Sequence, residues 1–375
     1  MNIIIAGDLF PTPSNYEYFK NGEIVALMGQ ELCDEWMEAD FRIFNLETAL
    51  TNTDTPIQKR GAAFSAPLYT MNGIKALNPQ LVCTANNHIY DHGEIGYATT
   101  TMALNANNIP YVGSGNTLKQ SEIPHIIDGK KKIGVYACAD YEFSIATDNS
   151  PGANPFDPVE SYDHIYELKQ KCDYLIVIYH GGKEYYRYPS PYTQKICRKM
   201  ADKGADIILL QHSHCIGCKE EYNDTTIIYG QGNFIFDRRN DEYAYSSLLV
   251  RINIEDRMKI DYIPIVKIGN KIRLANEAEV TEIIGKFQER TEQIKTERFV
   301  EVEYDSFCRA HYSYYLENAL NIPPALRKVN HALGCRLFGH GIKREYLMFL
   351  KNILTCDAHR EVFINSINIE IQKRK

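Results

Sequence analysis

Residues 2–8 read Asn2-Ile3-Ile4-Ile5-Ala6-Gly7-Asp8, an apolar run too short for a helix and closed by a glycine and a carboxylate. A short continuous apolar stretch bounded by turn residues is the signature of a buried strand. In α/β proteins ligands collect where such strands end in loops. The polar residues that follow each apolar run are therefore the ones to read.

The pattern repeats along the chain. Periodicity predicts further short buried strands at 42–45, 81–85, 132–138, 174–179, 206–210, 226–230, 247–254 and 259–265. Helical stretches lie between several of them. One carries Ile95, Ala98, Met102 and Ala106 on a face, and another runs over 193–203 and stops at Gly204. The order is α/β first, then a meander of strands. After residue 276 helices take over, at 281–298, 306–320, 325–338 and 343–354, with Pro323-Pro324 breaking two of them.

Composition agrees with that division. The 375-residue chain is 44% hydrophobic and 24% charged, which excludes disordered, collagen-like and coiled-coil classes. Nineteen of its 23 Gly and 13 of its 15 Pro fall before residue 276. These residues punctuate turns, so the reading is a strand- and loop-rich domain over 1–275 and a helical region over 276–375. Net charge is −7, from 41 basic and 48 acidic residues. A mildly acidic chain with no long single-sign run is a poor nucleic-acid or anionic-membrane binder. Anionic substrates then need a local positive field, such as a metal ion. The N-terminal apolar run lacks the basic flank and length of a signal segment, and no 18 consecutive apolar residues occur. With ten cysteines and no secretory signal, the expected location is the cytoplasm.

The strand ends carry metal-binding residue types: Asp8, Asn45-Leu46-Glu47, Asn86-Asn87-His88 with Asp91, His180, and His212-Ser213-His214. Each alone has a bland reading. Asp8 reads as a turn former or helix cap, Glu47 as a solvated acid, Asn86-Asn87-His88 as a turn and His180 as a buried hydrogen-bonded histidine. The pair His212/His214 says more, since alternate residues of an extended segment point to one face. His212-x-His214-Cys215-x-x-Cys218 also admits a structural zinc knuckle, and Cys215/Cys218 a redox pair. Taken together, carboxylate, carboxamide and imidazole at consecutive strand ends suit divalent Mn, Fe or Zn. Two such ions sharing one carboxylate form a centre that hydrolyses phosphate esters.

In this order the motifs resemble the calcineurin-like metallophosphoesterase superfamily. The words Asn45-Leu46-Glu47, Ala85-Asn86-Asn87-His88, His180-Gly181-Gly182-Lys183-Glu184-Tyr185 and Tyr229-Gly230-Gln231-Gly232-Asn233-Phe234 are closer still to its CapA (poly-γ-glutamate/capsule synthesis) branch. The resemblance covers about residues 2–265. It implies a four-layer αββα sandwich with one or two divalent metal ions at the strand C-termini. It places Asp8 and His214 on the first metal, Glu47 as the bridge, and Asn87, His180 and His212 on the second. His88 would be the general acid, oriented by Asp91, whose alternative is a helix N-cap. Glu184, Tyr185 and Asn233 would line the substrate mouth. The superfamily's first motif carries a second ligand, a histidine, where this chain has Phe10, and its bridging acid is commonly Asp where this chain has Glu47.

Three activities are compatible with these implications. The first is a divalent-metal-dependent phosphoesterase-like hydrolase with a small phosphorylated or polyanionic substrate, linked to capsule, polysaccharide or poly-γ-glutamate metabolism. The second is a non-catalytic metal- and polyanion-binding accessory protein of polymer synthesis. The third is an amide hydrolase acting on such a polymer. The helical C-terminal region, with Tyr312, Tyr314 and Tyr315, reads as helix packing against the sandwich, or as a lid that binds a partner.

Overall fold

Ile3 and Ile5 are buried on one side of the first strand, Ile4 and Ala6 on the other. That double burial sets the architecture, because the strand needs an apolar layer on each face. The computed structural model describes residues 1–255, 257–334 and 342–374. The chain divides into two compact units, Met1–Glu301 and Val302–Lys375.

In the first unit two sheets carry the frame. One runs in the spatial order Lys271–Leu274, Met258–Ile268, Ser246–Ile254, Asn2–Phe10, Phe41–Leu46, Leu81–Cys83 and Tyr111–Val112, with Asn233–Phe236 alongside Asn2–Phe10. The other runs Lys219–Tyr222, Thr225–Ile228, Ile207–Gln211, Tyr174–His180, Ile133–Ala139 and His125–Ile127. The site-bearing strands of each sheet run parallel to one another, Phe41–Leu46 with Asn2–Phe10 and Leu81–Cys83, and Tyr174–His180 with Ile207–Gln211, although Asn2–Phe10 is antiparallel to Ser246–Ile254 on its other side. Their carboxyl ends thus come out together.

The sheets face each other through one apolar layer, with Ile3, Ile5 and Ile43 against Val135, Ile176, Ile178 and Leu209. Outside the first sheet, helix Gln30–Met37 brings Leu32 and Trp36 onto Ile4 and Phe44. Outside the second, helices Ser161–Lys169 and Pro191–Asp202 bring Ile165, Ile196 and Met200 onto Val177 and Ile208. Helix, sheet, sheet, helix is the four-layer α/β sandwich that the family resemblance implies. Helix Glu277–Gln293 also belongs to this unit, with Ile283 and Phe287 packed on Leu248 and Val266.

Two local expectations fail. In helix Gly93–Ala106 the buried residues are Gly96, Tyr97, Thr100, Thr101 and Leu104. The predicted apolar face points outward, with Ile95 and Met102 50% and 68% exposed. The three threonines at 99–101 bond back to carbonyls of the preceding turn or of Leu50, so the helix can bury a polar side at little cost. The second miss is helix Asp357–Lys373, which has no predicted counterpart. Its Val362, Ile364, Ile367, Ile369 and Ile371 are β-branched and weak helix formers.

The second unit contains most of Phe299–Ala319, then Pro324–Ala332, Arg344–Thr355 and Asp357–Lys373. The end of the predicted 325–338 helix lies outside the described residues. Tyr314 and Tyr315 are each more than half exposed. Among the described residues no helix is long and apolar enough to cross a membrane.

Candidate metal centre

Every strand end singled out by the sequence opens onto one buried cluster. Asp8 lies near the end of Asn2–Phe10, Glu47 follows Phe41–Leu46, and Asn87 and His88 follow Leu81–Cys83. His180 closes Tyr174–His180, and His212 and His214 follow Ile207–Gln211. All seven are buried. Close approach of the backbone makes this gathering possible: a Cβ on Gly7 would sit 2.0 Å from the carbonyl oxygen of Gly232. Only glycine lets the Asn233 segment run against Asp8, with which Asn233 is in register.

Distances define two ligand groups. His180 Nε2 is 3.2 Å from Glu47 Oε1, 3.0 Å from Asn87 Oδ1 and 3.1 Å from His212 Nδ1. His214 Nδ1 is 3.4 Å from Asp8 Oδ2 and 3.9 Å from Glu47 Oε2. Asp8, Glu47 and His180 form one set of converging ligand atoms, and Glu47, His212 and His214 the other. Glu47 is common to both. The same atoms also pair Asp8 with His214, and His180 with His212 and Asn87.

Pleating does not bring the two histidines together. The strand ends at Gln211, and both His212 and His214 have positive φ, 81° and 54°. Non-glycine residues rarely adopt this left-handed backbone, which concentrates at functional sites. A backbone bond from His212 N to Asp8 Oδ2 (3.2 Å) secures the turn to the first strand.

The residues fit a divalent cation. Both carboxylate oxygens of Glu47 are buried without a hydrogen bond, with ring nitrogens of His180 and His214 at 3.2 and 3.9 Å. A buried carboxylate left in that state is costly unless a positive charge meets it. Carboxylate, carboxamide and imidazole form the donor set of Mn, Fe and Zn. Electrostatics already anticipate that charge. Burial opposes ionisation of Asp8, yet the His214 hydrogen bond and His180 outweigh it and hold the carboxyl below its usual range. Burial likewise opposes protonation of His214, but Glu47 and Asp8 prevail and raise it to about 10. His212, buried beside His180 and His214, is pushed well below the usual imidazole range.

Beside the cluster, His88 Nδ1 sits 2.5 Å from Asp91 Oδ2, which leaves Nε2 as the outward ring atom. The cap of the following helix is His92 and no side-chain bond is made there, so Asp91 is an orienting carboxylate and not a helix cap. Sequence reading missed what holds Asp91. Lys59 bonds its Oδ1 and Phe64 N donates to its Oδ2 at 2.6 Å. The ring of Phe64 stacks on His88 at 3.7 Å, and Phe10 stacks on Phe64 at 4.7 Å. Phe10 is thus a wall of the His88 pocket. Asn45 and Asn86 were also missed as site residues, although they stand within quoted words. Asn45 Nδ2 donates to Asp8 Oδ1 (2.7 Å), and Asn86 Nδ2 donates to Asn45 Oδ1 (2.9 Å).

At the mouth, Tyr185 has φ 58° and its ring lies 5.8 Å from His214 and beneath the Arg239 guanidinium (4.0 Å). Asn233 Oδ1 lies 2.8 Å from His214 Nδ1, a buttress to that imidazole. Glu184, half-buried, is not brought into the cluster. Cys215 and Cys218 are buried free thiols. Among the described residues, neither joins a group of converging ligand atoms, so no zinc knuckle forms.

Comparison with known proteins adds to this geometry. Residues 2–238 match the family described as "Bacterial capsule synthesis protein PGA_cap". The PGA biosynthesis protein CapA of Bacillus subtilis (strain 168) is 34% identical over 177 residues, 44% of each chain. The capsule biosynthesis protein CapA of Bacillus anthracis is 30% identical over 181 residues, 46% of this chain and 44% of that one. The chain thus spans less than half the length of these curated relatives. Among solved structures, a Mycoplasma pneumoniae phosphatase aligns over 72% of this chain and 94% of that one, with 16% identity and a TM-score of 0.43.

Proposed function

This chain belongs to the PGA_cap family of bacterial capsule synthesis proteins, and from that premise we propose that it is a divalent-metal-dependent phosphoesterase-like hydrolase. Its substrate is a phosphorylated or polyanionic compound of capsule, polysaccharide or poly-γ-glutamate metabolism. The observation that carries the reading is Glu47, buried with no hydrogen bond to either oxygen and shared by two ligand groups.

Asp8, Glu47, Asn87, His180, His212 and His214 would hold one or two ions of Mn, Fe or Zn. When bound, such ions supply a local positive field and a water of lowered pKa. The chain's own residues do the rest. Asn45 fixes the Asp8 carboxylate and Asn233 fixes His214. Asp91 and the Phe64 ring hold the His88 imidazole in one plane, with Nδ1 tied back and Nε2 turned to the substrate. At that atom His88 carries the proton that the leaving oxygen takes up. Tyr185 closes one side of the mouth.

Hydrolysis of an aryl phosphate with added Mn or Zn tests this reading. Activity should need the metal and fall about a hundredfold or more in His88→Ala. Turnover indifferent to chelation and to His88→Ala contradicts it.

One observation favours a second reading, a non-catalytic accessory that binds metal and polyanion. Phe10, in the place of a metal-binding imidazole, is committed to an aromatic stack and gives no ligand. Polymer bound stably with no phosphate or cleaved amide released on long incubation would select it.

A further inference from the structure

A cavity of about 530 Å³ lies in the first unit, away from the Glu47 cluster, between helix Glu277–Gln293 and the loop that follows Tyr185. Two arginines line it, Arg187 and Arg290. Their guanidinia dock on consecutive carbonyls, Arg187 Nη1 on Ile216 O at 3.0 Å and Arg290 Nε on Gly217 O at 2.7 Å. Arg187 Nη2 also reaches Glu242 O at 3.3 Å. Among the described residues these carbonyls are their hydrogen-bond partners, and neither guanidinium forms an ion pair with a carboxylate. The acids of the same wall are partly engaged, Glu279 with Arg273 and Glu282 with Lys286, while Glu242 and Glu289 are exposed. Two cations held side by side on backbone dipoles repel each other, and a shared anion relieves that repulsion.

The cavity is also connected to the mouth of the metal centre. The Arg187 guanidinium lies over the Tyr243 ring at 4.9 Å. Tyr243 meets Tyr185 at 5.7 Å, and Tyr185 meets His214 at 5.8 Å. Three rings in series, His214, Tyr185 and Tyr243, thus lead from the cluster to the Arg187 guanidinium.

We propose that Arg187 and Arg290 form an anion subsite for a carboxylate or phosphate group of an extended polyanion whose reacting segment lies at the Glu47 centre. The inference rests on the polyanion reading above and deepens it. A compact phosphate monoester fills the metal centre and leaves the subsite empty; a chain long enough to follow the tyrosines fills both. The two contacts then act as linked binding events, and affinity climbs with chain length.

The test is calorimetric titration of the full chain, loaded with Mn, against two ligand series: γ-linked glutamate dimer and decamer, and inorganic pyrophosphate and long-chain polyphosphate. In the native chain the long member of at least one series should bind about tenfold or more tighter than the short one. The responsive series identifies carboxylate or phosphate as the group held. Arg187→Gln should abolish that ratio, and so should Arg290→Lys, which keeps the charge and a donor for Gly217 O but loses the planar fork. Melting curves check that both variants fold, and Arg187→Gln is the variant that decides if Arg290→Lys does not. A ratio unchanged in folded Arg187→Gln, or the lack of any length preference in the native chain, overturns the subsite. Failure of the phosphoesterase reading shows separately, as absent aryl-phosphate turnover in the native chain, and leaves the length ratio measurable.

Discussion

The Lys59 ammonium bonds the Asp91 carboxylate inside the protein, with the two side chains 4% and 0% exposed. Lys59 comes from the loop before Phe64, so one ion pair ties that loop to the residue that orients His88. Removing one partner of a buried pair strands the other. Lys59→Met should therefore destabilise the fold by about 3 kcal/mol. Denaturant unfolding checks this, and a combined Lys59→Met/Asp91→Asn variant should recover part of the loss.

Phe10 is 6% exposed, stacked on Phe64 at 4.7 Å and edge-on to Phe236 at 5.4 Å. Phe10→Ala opens a cavity behind the ring that supports His88. The expected cost is about 3 kcal/mol, and Phe10→Leu should cost less because it fills more of the space. Unfolding curves of the two variants give the comparison directly.

Glu279 accepts from both Arg273 terminal nitrogens (2.7 and 2.8 Å), from Asn276 N (2.8 Å) and from Tyr245 (3.0 Å). The Arg273 bonds, then the Asn276 N–H, bring its carboxyl down to about 2 from an ordinary 4.5. A folded value below the unfolded one means a stabilising contribution that is complete above the unfolded value. It fades as pH falls from about 4.5 through about 2. Melting temperatures of native and Glu279→Gln protein should thus differ by a constant amount near neutrality and converge in that acid window. The difference should be small, since the pair is partly solvated.

The α/β strand frame was legible because strands buried on two faces are continuous apolar runs, such as Ile3-Ile4-Ile5 and Leu175-Ile176-Val177-Ile178, whereas the four-layer stacking came from the family resemblance. Asp8, Glu47, His180, His212 and His214 were legible because each directly ends or follows such a run. Lys59 was not, since a lone lysine in a polar loop looks solvated until the fold carries it inward. The reason His212 and His214 converge was also hidden. Alternation suggested a pleat, whereas the backbone turns left-handed at both. Gly93–Ala106 misled for a related reason: its threonines satisfy their own hydroxyls, so burial follows tertiary contact and not hydropathy.

The central claim is that Glu47 is shared by two cation-binding groups, and counting ions tests it most directly. Equilibrium dialysis against Mn should give about two ions per native chain, and Glu47→Gln should lose both or retain one only weakly. A native chain that binds no Mn, Fe or Zn, or a Glu47→Gln chain that binds as many ions as tightly as the native one, would contradict it.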